Sequence, residues 1–252
     1  QVEGHPWYIN QDYNNHRDAT YEEILHLVHD YGIGIDGHNS FPGAIPEYQS
    51  EIREAQKNAL STNLWGMGAD RWINELIDEN SLTQEYLAAL IDSYYGLWGA
   101  WTDSETHGMW GIYVAKTRNE IVLEDPIGGE ILSNKFFHPY LTYNARIDPN
   151  FNGTFSLRFD PSKPYTNHSQ YLKDITLLGN NNISVTINEL DNNINGNQGN
   201  NTAVFSGDSS EYIIDTFDNI TSVTDKVSNR DGINILQSIE KLKFANQTIE
   251  LN

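Results

Sequence analysis

The sequence changes texture near residue 170, and that change limits the folds open to it. Before it lie all six tryptophans and every run with convincing helical spacing. After it come short β-type runs in a background rich in Asn, Gly, Asp and Ser. Side chains repeat every 3.6 residues on a helix face and every two on a strand, so one pattern does not substitute for the other. The chain is therefore read as α+β. A helix-rich N-terminal domain covers 1–170, a small all-β C-terminal module covers 171–252, and the join falls around Pro161 to Leu172. At 252 residues it is long enough to bury a core in one domain or two.

Three segments of the first part carry helical spacing. Residues 20–31 place Ile24, Leu25, Val28 and Tyr31 on one side, with Gly32 as a C-terminal stop. Residues 46–61 open with Pro46 and alternate in charge, which predicts a solvent-facing helix. Residues 69–99 contain a break at Asp78 to Ser81. An apolar helix then runs from about Thr83 to Tyr95, with Leu87, Leu90, Ile91 and Tyr94 at core spacing and Gly96 at its end. Residues 110–123 predict a hairpin turning near Lys116 to Asn119. The aromatic, turn-rich stretch from Phe136 to Phe159 carries no assignment.

The chemistry concentrates in Thr20-Tyr-Glu-Glu-Ile-Leu-His-Leu-Val-His29. Glu22 and His26 stand four apart and project from one helix side, with Glu23 between them. A hydrolytic zinc site needs three protein ligands and one open position for water, and a nearby carboxylate to take the proton. Glu22 and His26 supply two ligands and Glu23 the base. Glu85, on the later apolar helix, is the third ligand, and His29 is the second choice. Tyr140 and Tyr143 are candidate oxyanion donors. A plainer reading stands beside this one. Thr20-x-x-Glu23 is also a capping box, carboxylates are favoured in any first helical turn, and His26 can be a hydrogen-bonded structural histidine.

On Glu22, Glu23, His26 and Glu85 the chain resembles the glutamate-zincins, which include lethal-factor-like peptidases. That family pairs an H-E-x-x-H helix with a glutamate on a later helix of the type E-F-x-A. The resemblance spans roughly residues 20–95 and implies a zinc-activated water attacking a peptide bond. The departure is Glu22, a carboxylate in place of the first histidine. It makes the site more anionic, bound water less acidic, and another divalent ion a fitting occupant.

The stretch Leu190 to Gly207 resembles the glycine-rich nonapeptide repeats of calcium-binding β-rolls of the RTX, or hemolysin, type. The segments that follow, among them Ala203-Val-Phe-Ser-Gly, Arg230-Asp-Gly and Ile239-Glu-Lys-Leu-Lys-Phe-Ala245, resemble the cap after such repeats. The resemblance covers about 176–252 and implies an exported bacterial protein with Ca2+ at Asn195, Asn197 and Asn200. Asn stands where that family has Asp, and a neutral amide oxygen holds calcium more weakly than a carboxylate.

A formal net charge of −20 disfavours nucleic acid and anionic membranes as partners. The absence of cysteine excludes disulfides and thiolate metal sites. No apolar run approaches the roughly 20 residues of a membrane-spanning helix. The start at Gln1 reads as a mature or excised piece. The leading expectation is a secreted metal-dependent peptidase with a peptide or protein substrate. The alternatives are a non-catalytic extracellular module that binds calcium or carbohydrate on a degenerate scaffold, and an interaction unit cut from a larger surface protein.

Overall fold

The computed structural model describes residues 3–10, 20–34, 42, 44–101, 107–133 and 144–251, without the side chains of Trp7, Tyr8, Thr20 and Tyr21. The fold is α+β, with helices mostly toward the N-terminus and, among the described residues, eleven strands toward the C-terminus. Two compact units divide the chain: Asp12–Leu141, and Gln1–Gln11 together with Thr142–Asn252. The expected join at Pro161 to Leu172 lies inside the second unit, where Thr166–Ser169 forms a helical turn between strands.

A short helix α1 (Pro6–Ile9) belongs to the second unit, and in the helical unit α2 (Thr20–Val28) continues as a π-helical segment (His29–Gly34). After it come α3 (Pro46–Ser61), α4 (Asp70–Glu79), α5 (Leu82–Tyr94), α6 (Arg118–Glu124) and α7 (Pro126–Ser133). The break expected at Asp78 to Ser81 is present, with Asn80 left-handed at φ 58° as the C-cap of α4. Helix α5 is the centre of the unit: Tyr86, Leu87, Ala88, Ala89 and Leu90 have no exposed surface.

The structure corrects four expectations. The buried side of α2 and its continuation is Glu22, Leu25, His29 and Ile33, whereas Ile24, Val28 and Tyr31 are exposed at 56%, 37% and 60%. Gly32 does not stop the helix; the wider π turn carries it to Gly34, whose φ of 89° ends it. Helix α3 is not merely solvent-facing, since Tyr48, Gln49, Ile52, Ala55, Gln56 and Ala59 form a buried face. The hairpin expected at 110–123 is absent as well. A 3-10 turn at Met109–Gly111 leads to α6, because the Glu120 carboxylate accepts the backbone N–H groups of Lys116 and Thr117 at 2.9 and 2.8 Å and caps a helix start.

The second unit is a coil of alternating strands. Strands β1 (Asn144–Ile147), β3 (Asp174–Leu177), β5 (Asn192–Asn195) and β9 (Ile233–Gln237) stack in parallel in one sheet. Strands β2 (Gly153–Ser156), β4 (Ile183–Thr186), β6 (Thr202–Val204) and β10 (Lys241–Lys243) stack in parallel in the other. One turn of the coil takes about 18 residues, as Ser184 aligns with Thr202. An antiparallel hairpin, β7 (Tyr212–Phe217) and β8 (Ile220–Asp225), extends the first sheet, and β11 (Thr248–Glu250) closes the second. Alternate residues point inward, so Ile175, Ile194, Leu236, Val185, Ala203 and Leu242 fill the space between the sheets.

Candidate metal centre

Helices α2 and α5 bring the two halves of the sequence-predicted site together. Glu22, His26 and Glu85 each offer a ligand atom, and these atoms lie within 4.8 Å of one another. The one-turn spacing on α2 stacks Glu22 and His26 on one side. Leu25 and His29 turn that side toward the rest of the unit, and the first turn of α5 presents Glu85 to it. Within the group His26 Nε2 stands 3.4 Å from Glu85 Oε1.

The donor set fits a divalent cation. Two carboxylates and an imidazole suit zinc, manganese or iron(II). Ligand bonds of about 2.1 Å in a tetrahedron put neighbouring donors about 3.4 Å apart, so the His26–Glu85 pair already has that separation and the group as a whole must close slightly. The side chains of His26 and Glu85 remain 16% and 19% exposed, enough for an ion to enter and little enough for partial desolvation. Two anionic ligands cancel a divalent charge. An ion held here would therefore be a weaker electrophile than one in a set dominated by imidazoles.

Glu23 lies one residue on and is exposed, away from the dry side of α2. His29 is not in the group. Its ring has no exposed surface, and its Nε2 lies 2.7 Å from Gln49 Oε1. Burial holds it below the ordinary imidazole range, against the raising influence of the Gln49 bond and of the Asp30 carboxylate. Gln49 in turn donates through Nε2 to Thr83 Oγ1 at 3.1 Å. Neither Gln49 nor Thr83 was singled out from the sequence. The available signal was a glutamine at core spacing from Ile52 and Gln56 on α3, where an apolar residue is the usual occupant. Tyr140 and Tyr143 lie outside the described residues.

The three asparagines expected to hold calcium have different environments. Asn195 is half-buried at the end of β5, its backbone paired with Thr176 and Gln237. Asn200 is exposed, and its backbone N–H donates to Asn182 Oδ1 at 2.8 Å. Asn197 is committed on both sides: its Nδ2 donates to the carbonyls of Leu178 and Asn181 at 3.0 and 3.1 Å, and its Oδ1 accepts from Gly199 N at 2.8 Å. Asn181 makes the same kind of link one coil earlier, to Phe151 O at 2.9 Å. On the opposite edge Asn188 donates to Gln170 O and Leu172 O, both at 3.0 Å. Amide N–H groups thus gather carbonyls of adjacent coils, the task a cation performs in a calcium-bound turn.

Among the described residues no helix is long and apolar enough to cross a membrane. Comparisons with protein-family models, with curated proteins and with solved structures gave no match to this chain.

Proposed function

We propose that the helical unit is a divalent-metal hydrolase domain acting on peptide bonds, with Glu22, His26 and Glu85 as metal ligands and Glu23 as general base. The observation that carries this reading is the convergence of three ligand atoms within 4.8 Å from two separate helices. A bound cation supplies positive charge that polarises a carbonyl and acidifies water. The chain's own residues do the rest. Glu22 and His26 hold their side of the site through helix geometry alone, and Glu85 meets them from α5. Glu23, one residue from Glu22 and outside the ligand cluster, is assigned as the base: with its exposed side chain turned toward the site it takes the proton from water as the water oxygen bonds to the carbonyl carbon, and returns it to the amide nitrogen as the C–N bond breaks.

The experiment is metal analysis of the purified chain after loading with Zn2+, Mn2+ or Co2+, followed by cleavage of a peptide library. The reading expects one ion per chain, lost in His26→Ala with the fold retained. It also expects cleavage that a chelator and Glu23→Gln both abolish. A protein that takes up none of the three ions is not a metal hydrolase. One that binds an ion yet cleaves nothing keeps the site and loses the enzyme.

A further inference from the structure

We propose that Gln49 is a positioning residue for the metal centre: bonded to His29 on one side and Thr83 on the other, it sets the spacing between the helix that carries Glu22 and His26 and the helix that carries Glu85. This rests on the metal reading above and adds to it a residue that touches no ligand.

The argument starts from how α2 is held. Its outer face is apolar yet uncovered, with Ile24, Leu27 and Tyr31 each more than half exposed. Among the described residues its buried inner face is Glu22, Leu25, His29 and Ile33. Leu25 and Ile33 are apolar contacts, which tolerate small slides. His29 is the directional one, because a 2.7 Å bond to Gln49 Oε1 fixes both distance and ring orientation.

The second half of the link lands close to the remote ligand. Gln49 Nε2 reaches Thr83 Oγ1 at 3.1 Å, two residues before Glu85 on α5. His29 stands three residues after His26. One carboxamide, only 3% exposed, thus spans the two ligand-bearing elements from a third helix. With the amide nitrogen on the Thr83 hydroxyl the oxygen faces His29, and in this arrangement His29 Nε2 is the donor. His29 Nδ1 is then a bare acceptor, and it is buried without a hydrogen-bond partner among the described residues. Every other bond in the strut depends on Gln49 having both a donor and an acceptor. Leucine has neither, and glutamate keeps both links only if the Thr83 hydroxyl turns to donate.

The test is Co2+ titration of the full chain, read by its visible absorption, in wild type, Gln49→Leu, Gln49→Glu and Gln56→Leu. Gln56 is the control: it is on the same helix and equally buried at 3%, and among the described residues no side-chain hydrogen bond joins it to His29 or Thr83. Gln49→Leu is expected to weaken Co2+ binding up to about 10-fold, the low end of what losing a group bonded directly to a ligand does, and to alter the band shape. Gln49→Glu is expected to recover the wild-type band shape, and Gln56→Leu to leave affinity and band shape as in wild type. Wild-type affinity and spectrum in Gln49→Leu overturn the inference while leaving the metal site intact. An equal loss in Gln56→Leu overturns it too, by reducing the effect to general loosening of α3. No Co2+ uptake by wild type removes the metal reading and this inference together.

Discussion

His26 Nε2 and Glu85 Oε1 stand 3.4 Å apart, although α3 and α4 separate their helices in the chain. Such a pair has two explanations, a partly exposed ion pair or two ligands of one cation, and they differ in what a substitution does. As an ion pair it contributes at most about 1 kcal/mol, since both side chains are in reach of water. As ligands, each is indispensable. Glu85→Gln is therefore expected to shift the melting temperature of the metal-free protein little, while reducing metal affinity by more than the roughly 100-fold seen for outer groups. Calorimetric titration of Zn2+ beside a thermal melt in chelator checks both halves.

His29 gives the helical unit a pH dependence of known sign. Its folded-state value lies below the ordinary 6.5 because burial disfavours the cation. Between that depressed value and 6.5 the unfolded chain binds a proton that the folded one does not, so stability rises with pH there. The contribution is complete above pH 6.5 and declines as pH falls below it, by at most about 1.4 kcal/mol per pH unit. Melting temperatures from pH 7.5 down to 5 should fall more steeply in wild type than in His29→Gln. Equal slopes would remove His29 as the cause.

Asp125 is a second buried polar point in the same unit. Its Oδ2 accepts from Tyr86 at 2.7 Å and Tyr113 at 3.2 Å, and its Oδ1 accepts from Gly128 N at 3.1 Å at the start of α7. Burial and the adjacent carboxylate push both phenols well above the usual range. Asp125→Ala strands two dry hydroxyls and a helix N-terminus, for a loss of about 3 kcal/mol. Urea unfolding measures it, and a loss under about 1 kcal/mol would mean that water replaces the carboxylate.

In the β unit Arg230 binds Asp225 through two nitrogens at 2.6 and 2.7 Å and Glu211 at 2.8 Å. Burial alone would raise Asp225, yet the guanidinium and the N–H donors of Val227 and Asp231 hold it below the ordinary carboxylate range. A depressed carboxylate contributes stability above its unfolded value of about 3.9 and loses it as pH falls toward the folded value. Arg230→Met leaves Asp225 charged and dry, for about 3–5 kcal/mol. Its melting temperature should drop at pH 7 and drop less at pH 3, where Asp225 can be protonated.

Asn197→Asp tests the amide links between coils. The substitution removes the donor to Leu178 O and Asn181 O and sets an anion against two carbonyls. It is expected to cost about 2 kcal/mol, and millimolar Ca2+ should restore part of the loss by bridging carboxylate and carbonyls. A melt with Ca2+ and with chelator reads this directly. Indifference to Ca2+ would show that the turn cannot open to an ion.

The helical part was readable where short-range rules decide, and misread where packing decides. The break at Asp78 to Ser81 and the apolar spacing of α5 are local signals. The assignment at 110–123 failed because Thr117 and Glu120 form a capping box, which a reading in alternating residues passes over. The inner face of α2 was misjudged because His29, a polar residue, takes a core position that Ile24 and Val28 would fill on hydropathy alone. That Glu22, His26 and Glu85 approach one another was legible because a one-turn spacing on one helix, combined with a lone carboxylate early on another, leaves few arrangements. Gln49 was not, since nothing in a glutamine on an otherwise charged helix announces a partner twenty residues earlier. The strands before Pro161 were missed because a coil mixes one four-residue strand with one bend, too short a period for either pattern to accumulate.

The winding of the β unit has an evolutionary consequence. Each rung pairs only with the rung above and the rung below, so inserting or deleting some eighteen residues lengthens or shortens the stack without re-registering its neighbours. The connections also tolerate insertions: the helical turn at Thr166–Ser169 lies between β2 and β3, and the β7–β8 hairpin adds onto the edge of the first sheet beside β9. Homologous chains of quite different length can therefore share this architecture.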